Sequence, residues 1–187
     1  MLTDRFEKAL VYATVVHGAQ RRKGTQIPYI SHLLSVAALT LEHGGNEDQA
    51  IAALLHDAVE DQGGGARLAD IEARFGADVA GIVEDCTDAW SEPKPPWRER
   101  KEAYLAKLTD KPDASLLVSL ADKTHNARAI VSDVRCHGAS VWERFKGGRD
   151  GTLWYYTELS SAFQRRLPGP LADELSRMTA AMAESIR

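Results

Sequence analysis

Apolar residues recur at spacings of three and four along nearly the whole chain, and no run of alternating β-branched residues competes with that period. The pattern predicts an all-α bundle of about eight to ten helices. A first helix spans Asp4 to Ala19, with Thr3 as its N-cap and Phe6, Leu10, Ala13 and His17 along one side. Gln20 to Pro28 break the period as a basic, glycine-containing loop. A second helix, Ser31 to Glu42, stops at Gly44-Gly45, where glycine tolerates the left-handed conformation that closes a helix. Asn46 with Gln49 three residues on predicts a capping box for a third helix, which carries on through Ala50, Ala53, Leu54, Ala58 and Val59 until Gly63-Gly64-Gly65 end it. Shorter helices follow at Leu68 to Phe75 and Asp78 to Asp88, separated by Gly76. After a proline-rich surface loop from Ser91 to Pro96 come helices at Trp97 to Leu108, Asp113 to Val131, Thr152 to Arg166 and Leu171 to Ile186. That loop is too short to link domains, and there is no internal repeat, so the expectation is a single domain over residues 1–187 with the C-terminal helix packed on it.

Composition narrows the function. With 44% hydrophobic and 27% charged residues in 187, the chain has the apolar content to build a core and is neither fibrous nor disordered. A net charge of −4 and a pI near 5.9 argue against nucleic acid as a partner, because no broad positive field exists to draw in a polyanion. The longest apolar stretches, Ala50 to Leu55 and Val36 to Leu39, fall far short of the roughly 18–20 residues of a membrane span. Met1 to Glu7 carry acids and no apolar segment follows, unlike a secretory leader. Cys86 and Cys136 match neither a disulfide framework nor a metal spacing. A cytoplasmic protein is expected, either monomer or homodimer.

The chemistry concentrates at His56-Asp57 and Glu60-Asp61, near the expected end of the third helix. Residues three and four apart share a helix face, so these four form one polar ridge behind the apolar turns from Ile51 to Leu55. Three acids so close repel one another unless a cation sits among them, and the helix dipole disfavours acids at a C-terminal end. His32 opens the second helix. Asp122 follows the apolar run Leu116 to Ala121, where an unpaired carboxylate would be costly to bury, and Asn126 lies one turn on along the same face. Two imidazoles and two carboxylates make a mixed donor set suited to Mn²⁺, Fe²⁺ or Zn²⁺ rather than Ca²⁺. Such an ion lowers the pKa of a water and polarises a phosphoryl oxygen. Arg21-Arg22-Lys23 is the densest basic run near this set, and a guanidinium can also stack on a purine. Arg98, Arg100 and Lys101 form a second basic patch that reads more simply as solvated surface.

The ordered set His32, His56-Asp57 and Asp122 resembles the signature of HD-domain metal phosphohydrolases. More narrowly, Arg22-Lys23-Gly24, Pro28-Tyr29-Ile30-Ser31-His32, Ala52 to Asp61 and Leu120 to Arg128 resemble blocks of the RelA/SpoT-type alarmone hydrolase family, over about residues 5–165. The resemblance extends to its stand-alone small alarmone hydrolases of the metazoan SpoT-homologue type. It implies a helical HD domain that binds one Mn²⁺ through His32, His56, Asp57 and Asp122, with Glu60 and Asp61 in water activation or proton transfer. It also implies nucleotide contacts from Arg22, Lys23, Asn126 and, more remotely, Tyr155. The implied reaction is hydrolysis of the 3′-diphosphate of (p)ppGpp, releasing pyrophosphate and GDP or GTP. The alternatives are another nucleotide, such as (p)ppApp or NADPH, or a catalytically silent nucleotide-binding HD protein. The chain length leaves no room for a synthetase domain beside the hydrolase, so degradation without synthesis is expected.

Overall fold

The computed structural model describes residues 1–87 and 95–184. Ten α-helices and one 3-10 helix form among them, with a single isolated β-bridge, between Arg21 and Pro28. No described helix is long and apolar enough to cross a membrane. Most of the proline-rich loop expected from Ser91 to Pro96 lies outside the described residues, as do the expected ends of two helices at Asp88 and Ile186. The fold divides into two compact units, Met1–Lys94 with Pro112–Ala121, and Pro95–Lys111 with Asp122–Arg187.

The first unit is built around α3 (Glu47–Leu55), which packs against α1 (Asp4–Val16), α2 (Ile30–Glu42) and α6 (Ala77–Cys86). All six residues from Ala50 to Leu55 are fully buried, so beyond its polar first turn α3 is apolar on every side. Its entry carries the capping box read from the sequence: Gln49 N–H donates to the Asn46 side chain at 3.0 Å and Asn46 N–H to that of Gln49 at 2.9 Å. Thr3 likewise caps α1 by accepting from Arg5 N–H.

The third helix departs from the expectation. It ends at Leu55, and a separate four-residue helix, α4 (Ala58–Asp61), carries Glu60 and Asp61. The His56 ring Nδ1 donates to the Ala53 carbonyl at 2.8 Å, the acceptor that an uninterrupted helix would offer to the Asp57 N–H. The polar ridge is therefore folded over a break, with His56-Asp57 in the turn. The glycines beyond do not end the structure either. Gly63 (φ +124°) supplies a reversal that other residues rarely adopt, and α5 (Gly64–Phe75) begins at once.

The second unit holds α7 (Trp97–Lys107), the part of α8 (Asp113–His137) from Asp122 onward, a 3-10 helix at Gly138–Arg144, α9 (Gly148–Arg166) and α10 (Pro170–Glu184). Helix α8 runs past the expected end at Val131 because buried Val134 continues the apolar spacing of Ile130 and Val131. The 3-10 turn, unforeseen in the sequence, buries Val141 and Trp142. Helix α10 packs on α9, with Leu171, Leu175 and Met182 of the one and Leu159 and Phe163 of the other buried, and Ser160 and Ser176 hydrogen-bonded at 2.8 Å. Helices α7 and α9 meet where the Trp97 indole lies against Gly147 and Gly151. A Cβ on Gly147 would fall 2.6 Å from the indole. Gly147→Ala is expected to cost about 1–3 kcal/mol by overpacking, measured by urea denaturation; an unchanged midpoint would show that the indole moves aside freely.

Candidate functional site

In the first unit, His32 comes from the start of α2, and His56 and Asp57 from the turn after α3. One donor atom from each lies within 4.8 Å of the others. Both imidazoles are buried, His32 fully, while the Asp57 side chain remains 23% exposed. Since the Ala53 carbonyl only accepts, the proton of a neutral His56 sits on Nδ1 and the Nε2 lone pair points the other way. That lone pair meets Asp57 Oδ2 at 3.1 Å, and His32 Nε2 reaches the same oxygen at 3.6 Å. Two imidazole nitrogens and a carboxylate oxygen gathered at these distances suit a shared cation. The Tyr29 hydroxyl donates to Asp57 Oδ2, and its ring stacks on His17 with centroids 5.3 Å apart. Tyr29 thus supports a carboxylate whose role the sequence suggested without pointing to its partner.

Glu60 is half-buried and Asp61 keeps solvent contact. Desolvation by the groups packed around it, then the nearby charge of Asp57, push the Asp61 carboxyl above the usual carboxylate range, while the hydrogen bond from Gln20 Nε2 at 2.7 Å pulls the other way. The basic loop is closed by Arg22 N–H to the Ile27 carbonyl at 2.9 Å and by Tyr29 N–H to the Gln20 carbonyl at 3.0 Å. Gly24, at φ +71°, makes the turn at its tip. The Arg22 guanidinium lies 5.7 Å from the centre of the Tyr29 ring, and Lys23 is exposed. The sequence candidates Arg22, Lys23, His32, His56, Asp57, Glu60 and Asp61 all belong to this unit.

Asp122, Asn126 and Tyr155 belong to the second unit. Asp122 is buried, and both its oxygens are engaged from its own helix: Asn126 Nδ2 donates to Oδ1 at 2.5 Å and Lys123 Nζ to Oδ2 at 2.7 Å. The shared face of Asp122 and Asn126, expected from their spacing, is realised as this bond. Burial alone would lower the Lys123 amine, but the charge and hydrogen bond of Asp122 together with Tyr104 and Tyr155 outweigh it and hold the ammonium well above its ordinary range. Lys123 Nζ also lies 4.9 Å from the centre of the Tyr104 ring. Tyr155 is buried, with Lys101 Nζ 5.0 Å from its ring centre, while Arg98 stacks 3.2 Å from the centre of the Trp154 ring. Two members of the second basic patch, Arg98 and Lys101, are therefore laid on aromatic faces. Lys123 went unread in the sequence although it adjoins Asp122; a lysine directly after an acid that closes an apolar run was the available signal.

The comparisons with known proteins agree with this geometry. The family model for the HD domain matches residues 9–153. The guanosine-3′,5′-bis(diphosphate) 3′-pyrophosphohydrolase MESH1 of Xenopus tropicalis is 41% identical over 126 residues, covering 66% of this chain and 68% of the relative. MESH1 of Drosophila melanogaster is 37% identical over 129 residues, 67% of this chain and 69% of the relative. The solved structure of a metazoan SpoT ortholog, described as hydrolysing ppGpp, superimposes with a TM-score of 0.80 at 27% identity and covers 96% of both chains. A fold built around a buried His-Asp cluster, a match across most of the chain and relatives at this identity place the chain in the HD-domain family, alongside the MESH1 pyrophosphohydrolases.

Proposed function

We propose that this chain is a cytoplasmic, metal-dependent hydrolase that removes the 3′-diphosphate of (p)ppGpp, yielding pyrophosphate and GDP or GTP. The observation that carries the reading is the convergence of His32 Nε2, His56 Nε2 and Asp57 Oδ2, in a chain whose MESH1 relatives bear that activity in their names. The donors fit a divalent ion of borderline softness: two imidazole nitrogens and a carboxylate, joined in this reading by Asp122. Mn²⁺ is the proposed ion, with Zn²⁺ and Fe²⁺ sharing the same donor preference. When bound, the ion supplies a water of lowered pKa and a Lewis acid for a phosphoryl oxygen.

The chain's own residues do the rest. Tyr29 holds Asp57 by its hydroxyl, and the Ala53 carbonyl fixes the His56 tautomer that presents Nε2. Glu60 and Asp61 are the carboxylates that accept a proton from the attacking water or return one to the leaving oxygen. Arg22, steadied on Tyr29, offers a flat cationic face to the purine, and Lys23 meets phosphate charge that the acidic protein as a whole would repel. Asn126 holds the sugar-phosphate part and Tyr155 forms a wall of the nucleotide pocket. The test is to incubate the purified Mn²⁺ form separately with ppGpp, ppApp and NADPH. Preferred turnover of ppGpp is expected. Turnover of one of the others alone would reassign the base, and tight nucleotide binding without turnover would make the protein a silent binder.

A further inference from the structure

A chain of hydrogen bonds behind Asp61 is used by none of the roles above. Asp61 Oδ2 accepts from Gln20 Nε2 at 2.7 Å. A carboxylate only accepts, so the nitrogen of the Gln20 amide faces Asp61 and the oxygen faces back into the protein. There Gln20 Oε1 receives two donors, His17 Nδ1 at 2.7 Å and Gln62 Nε2 at 3.2 Å. Turning the amide over would set its oxygen against the carboxylate and its nitrogen against the Gln62 donor. His17 is itself fixed: it is 2% exposed and stacked on Tyr29, and with its proton on Nδ1 its Nε2 has no hydrogen-bond partner among the described residues. The Gln20 backbone is pinned as well, its N–H donating to the His17 carbonyl at 2.9 Å and its carbonyl accepting from Tyr29 N–H at 3.0 Å.

We propose that Gln20 is the positioning residue of Asp61, its amide locked by His17 and Gln62, and that this arrangement makes Asp61 rather than Glu60 the carboxylate that moves the proton. Gln20 occupies Oδ2 and fixes the carboxylate plane, so Oδ1, the oxygen not bonded to Gln20, is the one that takes and returns the proton. Tyr29 couples the two halves of the site: its ring packs on His17, at the root of this chain, and its hydroxyl holds Asp57. The inference rests on the hydrolase reading above.

A double-mutant cycle on the Mn²⁺ form with ppGpp tests it. Gln20→Met is expected to lower kcat by about 10- to 100-fold with KM and metal content retained, and to lower the melting temperature because buried His17 Nδ1 loses its acceptor. In an Asp61→Asn background the same change has no further effect, whereas in a Glu60→Gln background it keeps its full effect. An unchanged kcat, or equal losses in both backgrounds, overturns the proposal. A second readout needs no turnover: the side-chain amide resonance of Gln20 in the metal-free chain shifts on Asp61→Ala and stays in place on Glu60→Ala. If the wild-type protein is inert toward ppGpp, the hydrolase reading fails and this signal decides the positioning alone; a resonance that ignores Asp61→Ala overturns it.

Discussion

Alanine at His56 or at Asp57 is expected to strip the metal and the activity together. The His56 Nε2 and Asp57 Oδ2 pair, 3.1 Å apart, supplies two of the donors on which the proposed ion depends, and neither has a substitute in the three-residue cluster with His32. The two variants disturb the fold differently. His56→Ala frees the Ala53 carbonyl from its side-chain donor, while Asp57→Ala removes an acceptor of the Tyr29 hydroxyl. A shared loss of metal in both, with helical circular dichroism retained, therefore reports on ligation rather than unfolding. Metal content after equilibration with Mn²⁺ and gel filtration is the measurement. Stoichiometric metal in either variant would remove that residue from the ligand set.

Asp61→Asn is expected to cost about 10²- to 10⁴-fold in kcat while the protein keeps its metal, and to stabilise the metal-free chain. The second effect follows from the direction of the Asp61 shift. Desolvation and the Asp57 charge raise its carboxyl in the folded state, so the folded protein holds its proton more tightly than the unfolded chain does. The contribution of Asp61 to stability is complete below the ordinary carboxylate pKa and is lost as pH rises through the raised folded value. At neutral pH the carboxylate therefore weighs against folding, and the neutral amide relieves it. The melting temperature of the metal-free variant should exceed that of the parent at pH 7 and converge with it in acid. Glu60→Gln is expected to lose less activity. Loss of activity without this pH-dependent gain would mean that Asp61 is not desolvated and opposed by Asp57 as described.

The sequence carried the helices with strong period and clear punctuation, because their signals are local. Thr3 and the Asn46–Gln49 box are realised as caps, and the apolar turns from Ala50 to Leu55 form the most buried helix of the first unit. The break after Leu55 was hidden because its cause is a side-chain bond from His56 to Ala53, whereas spacing alone reads straight through to Val59. Gly64 and Gly65 read as terminators and instead open α5, since a positive φ at Gly63 completes the turn. The 3-10 turn at Gly138–Arg144 lacks the 3.6-residue period that marks a helix. At the site, the histidines and acids were legible as residue types that are expensive to place together without a cation. Their support was not. Tyr29 reaches Asp57 from 28 positions away and Gln20 reaches Asp61 across 41, contacts that only the folded chain creates. Lys123 sits beside Asp122 in the sequence, yet its hold on that carboxylate depends on burial, which one-dimensional spacing does not encode.

The most direct test of the account is the identity of the products when the purified Mn²⁺ form meets ppGpp. Hydrolysis at the 3′-diphosphate predicts one pyrophosphate and one GDP per turnover, lost when the ion is removed by chelation and restored by Mn²⁺. Orthophosphate as the sole phosphorus product, or the same rate in the chelated protein, would contradict it.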